Sequence, residues 1–295
     1  MSSGILNVLK VPGMTSQDVV NIVRGIYKTR KVGHAGTLDP DAAGVLPVFL
    51  GEATKLLEYV LEDQKCYRAE ALLGQATTTG DDSGTVKQIL PVPVLDAETL
   101  QQTLQSFLGP QKQVPPMYSA LKIHGKKLYQ YAREGKEVER VPRDIVIRKL
   151  QLLDVHLPRF TLEVVCSKGT YIRTLLEDIG QALHTCATMT FLLRMQAGTF
   201  TLDTAHTLEE IAAAPAEYLL PPETAIRHVP HLDVNALQAY RITCGVRTTI
   251  AGSGEGIRAM YSQEQFLGMV RVEQDKVQAV KKIGRASCRE RVLRL

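Results

Sequence analysis

The chain has 295 residues, of which 44% are hydrophobic and 22% charged, a composition typical of a globular protein with one large domain or a large and a small one. It has no apolar run of about 18 residues, and its first residues lack the pattern of a secretory signal, so we expect no membrane span and a cytoplasmic location. The net charge of +4 is small, so any contact with nucleic acid must come from a local basic patch.

The first predicted elements are a short strand in ILNVLK, a Pro-Gly turn and a helix. Thr15 or Ser16 can cap a helix over QDVVNIVRGIY, in which apolar side chains recur at helical spacing. This stripe predicts a helix with one buried face.

The segment KVGHAGTLDPDAAGVLPV, residues 31–48, follows neither a helical nor a strand period. Pro40 pushes the backbone of Asp39 into the extended region, and glycines and prolines on both sides stiffen the loop. Two interpretations stay open at this point. Asp39 and Asp41 can be ordinary turn residues, or Asp39 can be a positioned nucleophile or general base.

The middle of the chain predicts a short helix in ATKLLEYVLED, a strand in KCYRAEALLG, a loop in TTTGDDSGTV and a helix from about Asp96 to Gly109. Two strand-like segments, DIVIRKLQLLDVHL and RFTLEVVCS, should be neighbours in a sheet. A helix over KGTYIRTLLEDIGQALH then carries Arg173 in its first turn, off the apolar stripe. Because the helix dipole disfavours a cation there, we expect Arg173 to meet an anion, and Asp39 is a natural candidate.

Residues 118–149 contain nine Lys or Arg against four Asp or Glu, interleaved with tyrosines. Such a run is compatible with a plain solvated face. Basic residues mixed with aromatic ones also suit phosphate contacts and base stacking.

From about residue 229 the sequence changes to alternating strands and a Gly-rich turn, AGSGEG. We therefore predict a large domain over 1–228 and a small β-rich module over 229–283. The last twelve residues, 284–295, carry four arginines and no clear periodicity, and we interpret them as a remnant of expression or sequencing.

No motif indicates a cofactor or a metal. GHAGTLD lacks the GK[ST] ending of a P-loop, and GSGEG does not join a strand to a long helix. His34 has no partner histidine at helical spacing, and Asp39 and Asp41 do not belong to an EF-hand pattern. The cysteines are five in number, scattered and without a CxxC pair, which argues against disulfides and a zinc site.

Four blocks of sequence together resemble the TruB family of tRNA pseudouridine synthases, the bacterial enzymes that isomerise uridine 55 of the TΨC loop. They are GHAGTLDPDAAGVLP (33–47), KCYRAEALLG (65–74), VPPMYSALKIHGKKLYQYAREG (114–135) and SKGTYIRTLLEDIG (167–180). The resemblance covers about the first 200 residues. It implies an α/β (α+β) fold, with a mixed-sheet catalytic core and a small PUA-like RNA-binding module at the C-terminus.

The resemblance also implies roles for residues that would otherwise be ordinary packing or turn residues. Asp39 would be the nucleophile, Arg173 its partner, and Tyr67 would stack on the flipped-out base and help to remove a proton. Four further matched positions would bind the substrate. Tyr171 and Leu192 would complete the wall of the uracil pocket, His34 would meet the RNA loop near the nucleotide it displaces, and Lys10 would meet a phosphate. No cofactor or metal is implied.

The implied partner is the T-arm stem-loop of tRNA, with backbone contacts from Lys122, Lys126 and Lys127 and a phosphate contact from Lys10. We expect a monomer that needs no guide RNA and no obligate protein partner, unlike a box-guided relative.

The chain departs from the family pattern at two places. It has Lys10-Val11-Pro12-Gly13 where Lys-Pro-x-Gly is usual, and Leu192-Leu193-Arg194-Met195 where Leu-Arg-Arg-Thr is usual. The second departure removes one arginine, which bears on RNA affinity rather than on the reaction.

Two rival functions follow from the same residues. The protein can be an RNA-binding or tRNA-folding chaperone in which catalysis is secondary. It can also be a carboxylate glycosidase, which would need a second carboxylate as acid; Asp41 alternates away from Asp39 if the loop is extended.

Overall fold

The computed structural model of the protein describes residues 3–60 and 64–283. The segment 284–295, interpreted above as a remnant, therefore lies outside the described residues. None of the helices in these ranges has the length and hydropathy that crossing a membrane requires.

The secondary structure of these ranges alternates short helices with many strands. The strands are β1 (Gly4–Lys10), β2 (Val32–His34), β3 (Ala43–Leu50), β4 (Lys65–Leu73), β5 (Gln75–Thr77), β6 (Val86–Ile89), β7 (Gly109–Gln113), β8 (Lys122–Ile123), β9 (Lys126–Lys127), β10 (Arg143–His156), β11 (Arg159–Cys166), β12 (Ala187–Ala197), β13 (Phe200–Thr201), β14 (His231–Asp233), β15 (Thr248–Thr249), β16 (Gly256–Ser262), β17 (Gln265–Glu273) and β18 (Lys276–Lys282). The α-helices are α1 (Ser16–Tyr27), α2 (Ala97–Gln105), α3 (Leu128–Arg133), α4 (Ile172–Ala182), α5 (Leu208–Ala213) and α6 (Ala236–Thr243). Three 3-10 helices cover Gly51–Tyr59, Leu202–Thr204 and Pro222–Ile226.

A mixed sheet forms the centre of the molecule, in the order β1-β3-β12-β4-β11-β10-β7, with β2 paired to β3 and β13 to β12. Its neighbouring strands run antiparallel except β3 and β12, which are parallel where Gly44 faces Arg194. Gly44 has a φ of +113°, and a Cβ there would lie 2.2 Å from the Arg194 carbonyl oxygen, so only glycine allows the two strands to approach. The predicted pairing of DIVIRKLQLLDVHL with RFTLEVVCS is confirmed as β10 against β11.

Helix α1 begins with a capping box, as the sequence predicts for Thr15. The Thr15 hydroxyl accepts a hydrogen bond from the Asp18 amide at 3.1 Å, and the Thr15 amide donates to the Asp18 carboxylate at 2.9 Å. The helix ends at Lys28 in the left-handed conformation. Its inward face buries Val19 and Val23 against the sheet.

Helix α4 lies on the same side of the sheet and buries one continuous run in its first turns. The run contains the predicted apolar positions and also the charged Arg173, which is 5% exposed. A buried arginine is costly unless it is paired and hydrogen-bonded, so its partners define the chemistry of this end of α4.

The segment after residue 229 forms a five-stranded sheet, in the order β14-β16-β17-β18-β15, with α6 packed on it. One hydrophobic cluster is its own and includes Ile242 and Val270. A second cluster is shared with the main body, because Phe266 and Met269 of β17 pack together with Phe49 of β3. The smaller sheet is thus joined to the central one through apolar side chains.

Candidate active site

Asp39 and Arg173 are in contact, as the sequence predicts. The Nε atom of Arg173 lies 3.0 Å from Oδ2 of Asp39, and its Nη2 atom donates to Oδ1 at 3.2 Å. This bidentate interaction fixes both the position and the orientation of the carboxylate. About a third of the Asp39 side chain, 35%, stays exposed, so the carboxylate is held but accessible.

The same guanidinium connects Asp39 to two other loops. Its Nη1 atom donates to the Thr79 carbonyl at 2.7 Å, and Nη2 donates to the Tyr118 carbonyl at 2.8 Å. Its Nε atom also lies 3.6 Å from Oδ2 of Asp81, a second carboxylate. Arg173 therefore ties the loop of Asp39 to the TTTGDDSGTV loop and to the start of the basic segment.

The electrostatic environment of Asp39 is mixed. Burial raises the pKa of its carboxyl above the usual range, and Asp81 acts in the same direction, whereas Arg173 and Lys10 lower it. Without the Arg173 charge, burial and the nearby Asp81 carboxylate would favour the protonated carboxyl of Asp39. Arg173 is thus the main group that keeps Asp39 available as a carboxylate.

Two buried cations hold the backbone of the loop around Asp39. The Lys10 ammonium, fully buried, donates to the carbonyls of Val11 at 3.0 Å, Pro40 at 2.8 Å and Ala42 at 2.6 Å. Burial lowers the pKa of Lys10 to about 8. The ammonium thus links the segment after β1 to the turn that contains Asp39 through three hydrogen bonds.

The second buried cation is Arg194, in β12. Its Nε atom donates to the Val45 carbonyl at 2.7 Å and its Nη2 atom to the Gly36 carbonyl at 3.1 Å. Arg194 also pairs with Tyr67 across the β4–β12 ladder, and its charge lowers the pKa of the Tyr67 hydroxyl against the burial that raises it. Arg194 therefore fixes the loop from a position beside Tyr67.

A cavity of about 220 Å³ opens beside Asp39. This volume is below the roughly 300–1,000 Å³ of sites for drug-sized ligands, so the cavity suits one small group such as a single base. Its lining brings together five of the residues singled out from the sequence, namely Asp39, Tyr67, Tyr171, Arg173 and Leu192. Burial raises the pKa of the Tyr67 hydroxyl to about 12, so Tyr67 is protonated at neutral pH.

The other residues singled out from the sequence lie outside the lining of this cavity. His34 is in β2, where it pairs with Val48 of β3. In this structure the ammonium of Lys10 is occupied by the three carbonyls, and its phosphate contact stays a prediction.

The lysines of the basic segment stand on a small hairpin, β8–β9, followed by α3. Lys126 and Lys127 lie over the rings of Tyr131 and Tyr129, at 4.7 Å and 5.5 Å from the ring centroids. Lys122 pairs with Lys127 across the hairpin and is exposed. Their contacts with RNA stay predictions.

Asp39 also makes a turn, so the two interpretations of the loop are not exclusive. The Ala42 amide donates to the Asp39 carbonyl at 3.2 Å, with Pro40 between them. Asp41 is exposed and does not line the cavity. The structure thus places Asp39 in the lining of the cavity and Asp41 outside it.

Three residues of the site were not identified from the sequence: Asp81, Ser119 and Arg194. Arg194 could have been identified, because an arginine inside the apolar strand FLLRMQA indicates a buried charge with specific partners. Asp81 sits in a loop rich in Asp and Gly, and Ser119 in a basic segment, where neither residue type is distinctive.

Other parts of the described chain have fewer features of an active site. A wider cleft of about 470 Å³ is lined by Ser3, Glu223 and Phe266, among others, and contains no buried cation. Across residues 3–60 and 64–283, no group of three or more His, Cys, Asp or Glu side chains could hold a metal ion.

Comparison with known families gives two matches along this chain. Residues 24–172 match the model described as TruB family pseudouridylate synthase (N terminal domain). Residues 173–229 match the model described as tRNA pseudouridylate synthase B C-terminal domain. Asp39 and Tyr67 fall within the first match, and Arg173 begins the second.

Curated relatives share more than two fifths of their residues with this chain. The tRNA pseudouridine synthase B of Caldanaerobacter subterraneus is 43% identical over 277 residues, which cover 93% of this chain and 96% of that protein. The protein of the same name from Symbiobacterium thermophilum is 48% identical over 250 residues, which cover 84% of this chain and 83% of that protein.

Two solved structures are similar in fold. One, described as a Cbf5-Nop10-Gar1 complex, contains a chain with 25% identity and a TM-score of 0.73, covering 95% of this chain and 85% of its own. Another, of an H/ACA RNP bound to a substrate RNA, has 23% identity and a TM-score of 0.74, covering 97% and 86%. The predicted α/β architecture with mixed sheets agrees with both.

Proposed function

The chain belongs to the TruB family of pseudouridylate synthases, and we propose that it isomerises uridine 55 in the T arm of tRNA to pseudouridine. The substrate is supported by the relatives named tRNA pseudouridine synthase B. The proposal rests mainly on Asp39, an accessible carboxylate that is paired with Arg173. It lines a cavity whose volume suits a single base.

In the proposed reaction Asp39 attacks the flipped-out nucleotide, at the sugar or at the base, and the N-glycosidic bond breaks. The uracil turns while it is held and rejoins the sugar through C5, and the bond to Asp39 breaks and returns its electron pair to the carboxylate. The proton lost from C5 is balanced by the proton that N1 gains. Product and substrate are isomers, so electrons balance without an external oxidant or reductant. The cavity supplies Tyr67 and Leu192 as walls for the ring.

Arg173 and Tyr67 have distinct proposed roles. Arg173 keeps Asp39 ionised and aimed, against the burial that raises the pKa of that carboxyl. Tyr67 stacks on the flipped base, which offsets part of the few kcal/mol that extrusion of a base costs. Because this hydroxyl is protonated at neutral pH, we propose that it takes up the C5 proton while it passes its own proton to the released Asp39 carboxylate in the same cavity.

RNA binding is proposed for two basic regions. The first is the hairpin and helix that carry Lys122, Lys126 and Lys127, and the second is the five-stranded sheet of the 229–283 module, which we propose is PUA-like. Arg247, Arg271 and Lys276 line one cleft on that module. Their cationic side chains can contact phosphates in a salt-dependent way.

We further propose that the protein acts alone, as a monomer, in the cytoplasm. The Cbf5 chain was solved with Nop10 and Gar1. The bacterial relatives, at 43–48% identity against 25% for that chain, are closer in sequence. Activity on a free transcript without a guide RNA would test this part of the proposal.

The rival functions are less well supported. A glycosidase needs a second carboxylate that faces the substrate, but Asp81 does not line the cavity and its Oδ1 atom accepts from the hydroxyls of Thr79 and Ser83, at 2.6 Å and 2.5 Å. The chaperone alternative is not favoured by the names of the relatives.

The test is tritium release from a T-arm stem-loop labelled at C5 of the target uridine. We expect release with the wild-type protein, none above background with Asp39→Asn, and largely retained release with the matched control Asp41→Asn. A pure, folded wild-type protein that remodels RNA without releasing tritium would favour the chaperone. Comparable losses from both substitutions would contradict the assignment of Asp39.

A further inference from the structure

Ser119 lines the Asp39 cavity, and its buried hydroxyl has no hydrogen-bond partner among the residues that the structure describes. The residue is 6% exposed, and its Oγ atom meets no donor or acceptor anywhere in residues 3–60 and 64–283. A buried hydroxyl without a partner costs about 1–3 kcal/mol, so such groups are rare in folded proteins. Ser119 shares the cavity lining with Asp39, Tyr67 and Leu192.

The backbone around Ser119 is fixed on both sides. The carbonyl of Tyr118 accepts from Arg173 at 2.8 Å, and the carbonyl of Ser119 itself accepts from the Tyr129 amide at 3.1 Å. The first bond links Ser119 to the group that grips Asp39, and the second links it to the start of α3. The main chain is thus tied to Arg173 on one side and to α3 on the other, and these two bonds leave the Ser119 hydroxyl unpaired within the described residues.

We propose that Ser119 Oγ hydrogen-bonds an oxygen of the flipped-out uridine and is a substrate-binding residue of this cavity. The inference rests on the proposed function and adds one specific polar contact between the protein and the substrate. The partner oxygen is either a uracil carbonyl or the ribose 2′-hydroxyl, and a serine hydroxyl can donate to either one.

The geometry of the reaction makes a hydroxyl well suited to this position. When uracil turns about its N3–C6 axis, its two carbonyl groups exchange places. A donor that meets one carbonyl before the turn meets the other after it. A hydroxyl also rotates freely about its C–O bond, so it can follow the ring through the turn.

The experiment compares Ser119→Ala with a matched control, Thr174→Val, under single-turnover conditions on a T-arm stem-loop. The Thr174 hydroxyl is likewise buried and without a partner in the described ranges, but Thr174 does not line the cavity. We expect Ser119→Ala to lower kcat/KM by about 5- to 100-fold, corresponding to one lost hydrogen bond in a dry site. Thr174→Val should stay within about twofold of the wild type.

Thermal unfolding separates this role from a structural one. Because Ser119 Oγ makes no bond within the described protein, its removal should leave the melting temperature unchanged or higher. A second substrate with 2′-deoxyuridine at the target identifies the partner. If the Ser119→Ala defect disappears on it, the partner is the 2′-hydroxyl, and if the defect persists, the partner is a uracil carbonyl.

Two results would overturn the inference. One is a Ser119→Ala protein with wild-type kcat/KM on the uridine substrate while the wild type forms pseudouridine. The other is an equal loss in Thr174→Val. A wild-type protein that forms no pseudouridine would remove the proposed function, and this inference with it.

Discussion

The guanidinium of Arg173 holds both oxygens of the Asp39 carboxylate, with Nε 3.0 Å from Oδ2 and Nη2 3.2 Å from Oδ1. Because the same group also binds the carbonyls of Thr79 and Tyr118, it sets the relative positions of three loops that the chain brings together from distant segments. The proposed nucleophile is therefore positioned by the Arg173 side chain as well as by its own loop.

Arg173→Lys should test that positioning. Lysine keeps the charge but offers one compact ammonium, which cannot satisfy Asp39, Thr79 and Tyr118 together. We expect the single-turnover rate to fall by about 10²-fold or more. Because Arg173 lowers the pKa of Asp39 against its burial, the acid limb of the pH–rate profile should also move to higher pH. The control is Arg159→Lys, at an exposed ion pair with Glu70. An unchanged rate and acid limb would contradict the prediction.

Tyr67→Phe should separate base stacking from proton removal. Phenylalanine keeps the ring in the cavity wall, so we expect RNA affinity to change by no more than about threefold. The loss of the hydroxyl should lower the rate of pseudouridine formation by about 10²–10⁴-fold. Filter binding and single-turnover kinetics measure the two quantities separately, with Tyr240→Phe in the C-terminal module as control. A normal rate in Tyr67→Phe would exclude its hydroxyl from proton removal.

Lys10→Met should mainly affect stability. The substitution leaves three carbonyls without their donor, so the free energy of unfolding should fall by about 2–4 kcal/mol. Since burial lowers the pKa of Lys10 to about 8 from 10.5, the folded wild type gains stability relative to the variant as the pH rises from about 8 to 10.5. Urea unfolding at several pH values measures both effects. The exposed Lys112→Met should show neither.

Asp178→Asn should stabilise the protein in a pH-dependent way. Burial, with a smaller contribution from Glu177, raises the pKa of Asp178 from 3.8 to about 6. Folding therefore carries the cost of an ionised, partly buried carboxylate above about pH 6, and this cost disappears as the pH falls towards 4. We expect the variant to gain about 1–3 kcal/mol at pH 8 and nearly nothing at pH 4. A gain that is equal at both pH values would contradict this. Asp154→Asn is the exposed control.

The parts of the fold and site that depend on local sequence could be predicted. The cap of α1 at Thr15, the helix that carries Arg173 and the stiff loop at Asp39 all follow from residue types a few positions apart. The sequence also indicated that Arg173 would meet an anion, because the helix dipole disfavours a cation in the first turn, and it offered Asp39 as a candidate.

The rest of the site depends on strand pairing between distant segments. Arg194 reaches Val45 and Gly36 because β12 runs parallel to β3, and no local pattern indicates that crossing. The burial of Lys10 has the same origin, since its ammonium is enclosed by the loop between β2 and β3. Side-chain direction within a loop is likewise set by tertiary contacts, which is why Ser119 was not singled out.

The hydrophobic cluster shared by Phe49, Phe266 and Met269 has a consequence for cooperativity. Because the smaller sheet and the central sheet bury apolar surface against each other, neither can open without exposing the other to water. We expect one calorimetric transition for the whole chain in place of two. A fragment cut at residue 229 should melt at a lower temperature and bind hydrophobic dyes, even though every residue lining the Asp39 cavity lies within it.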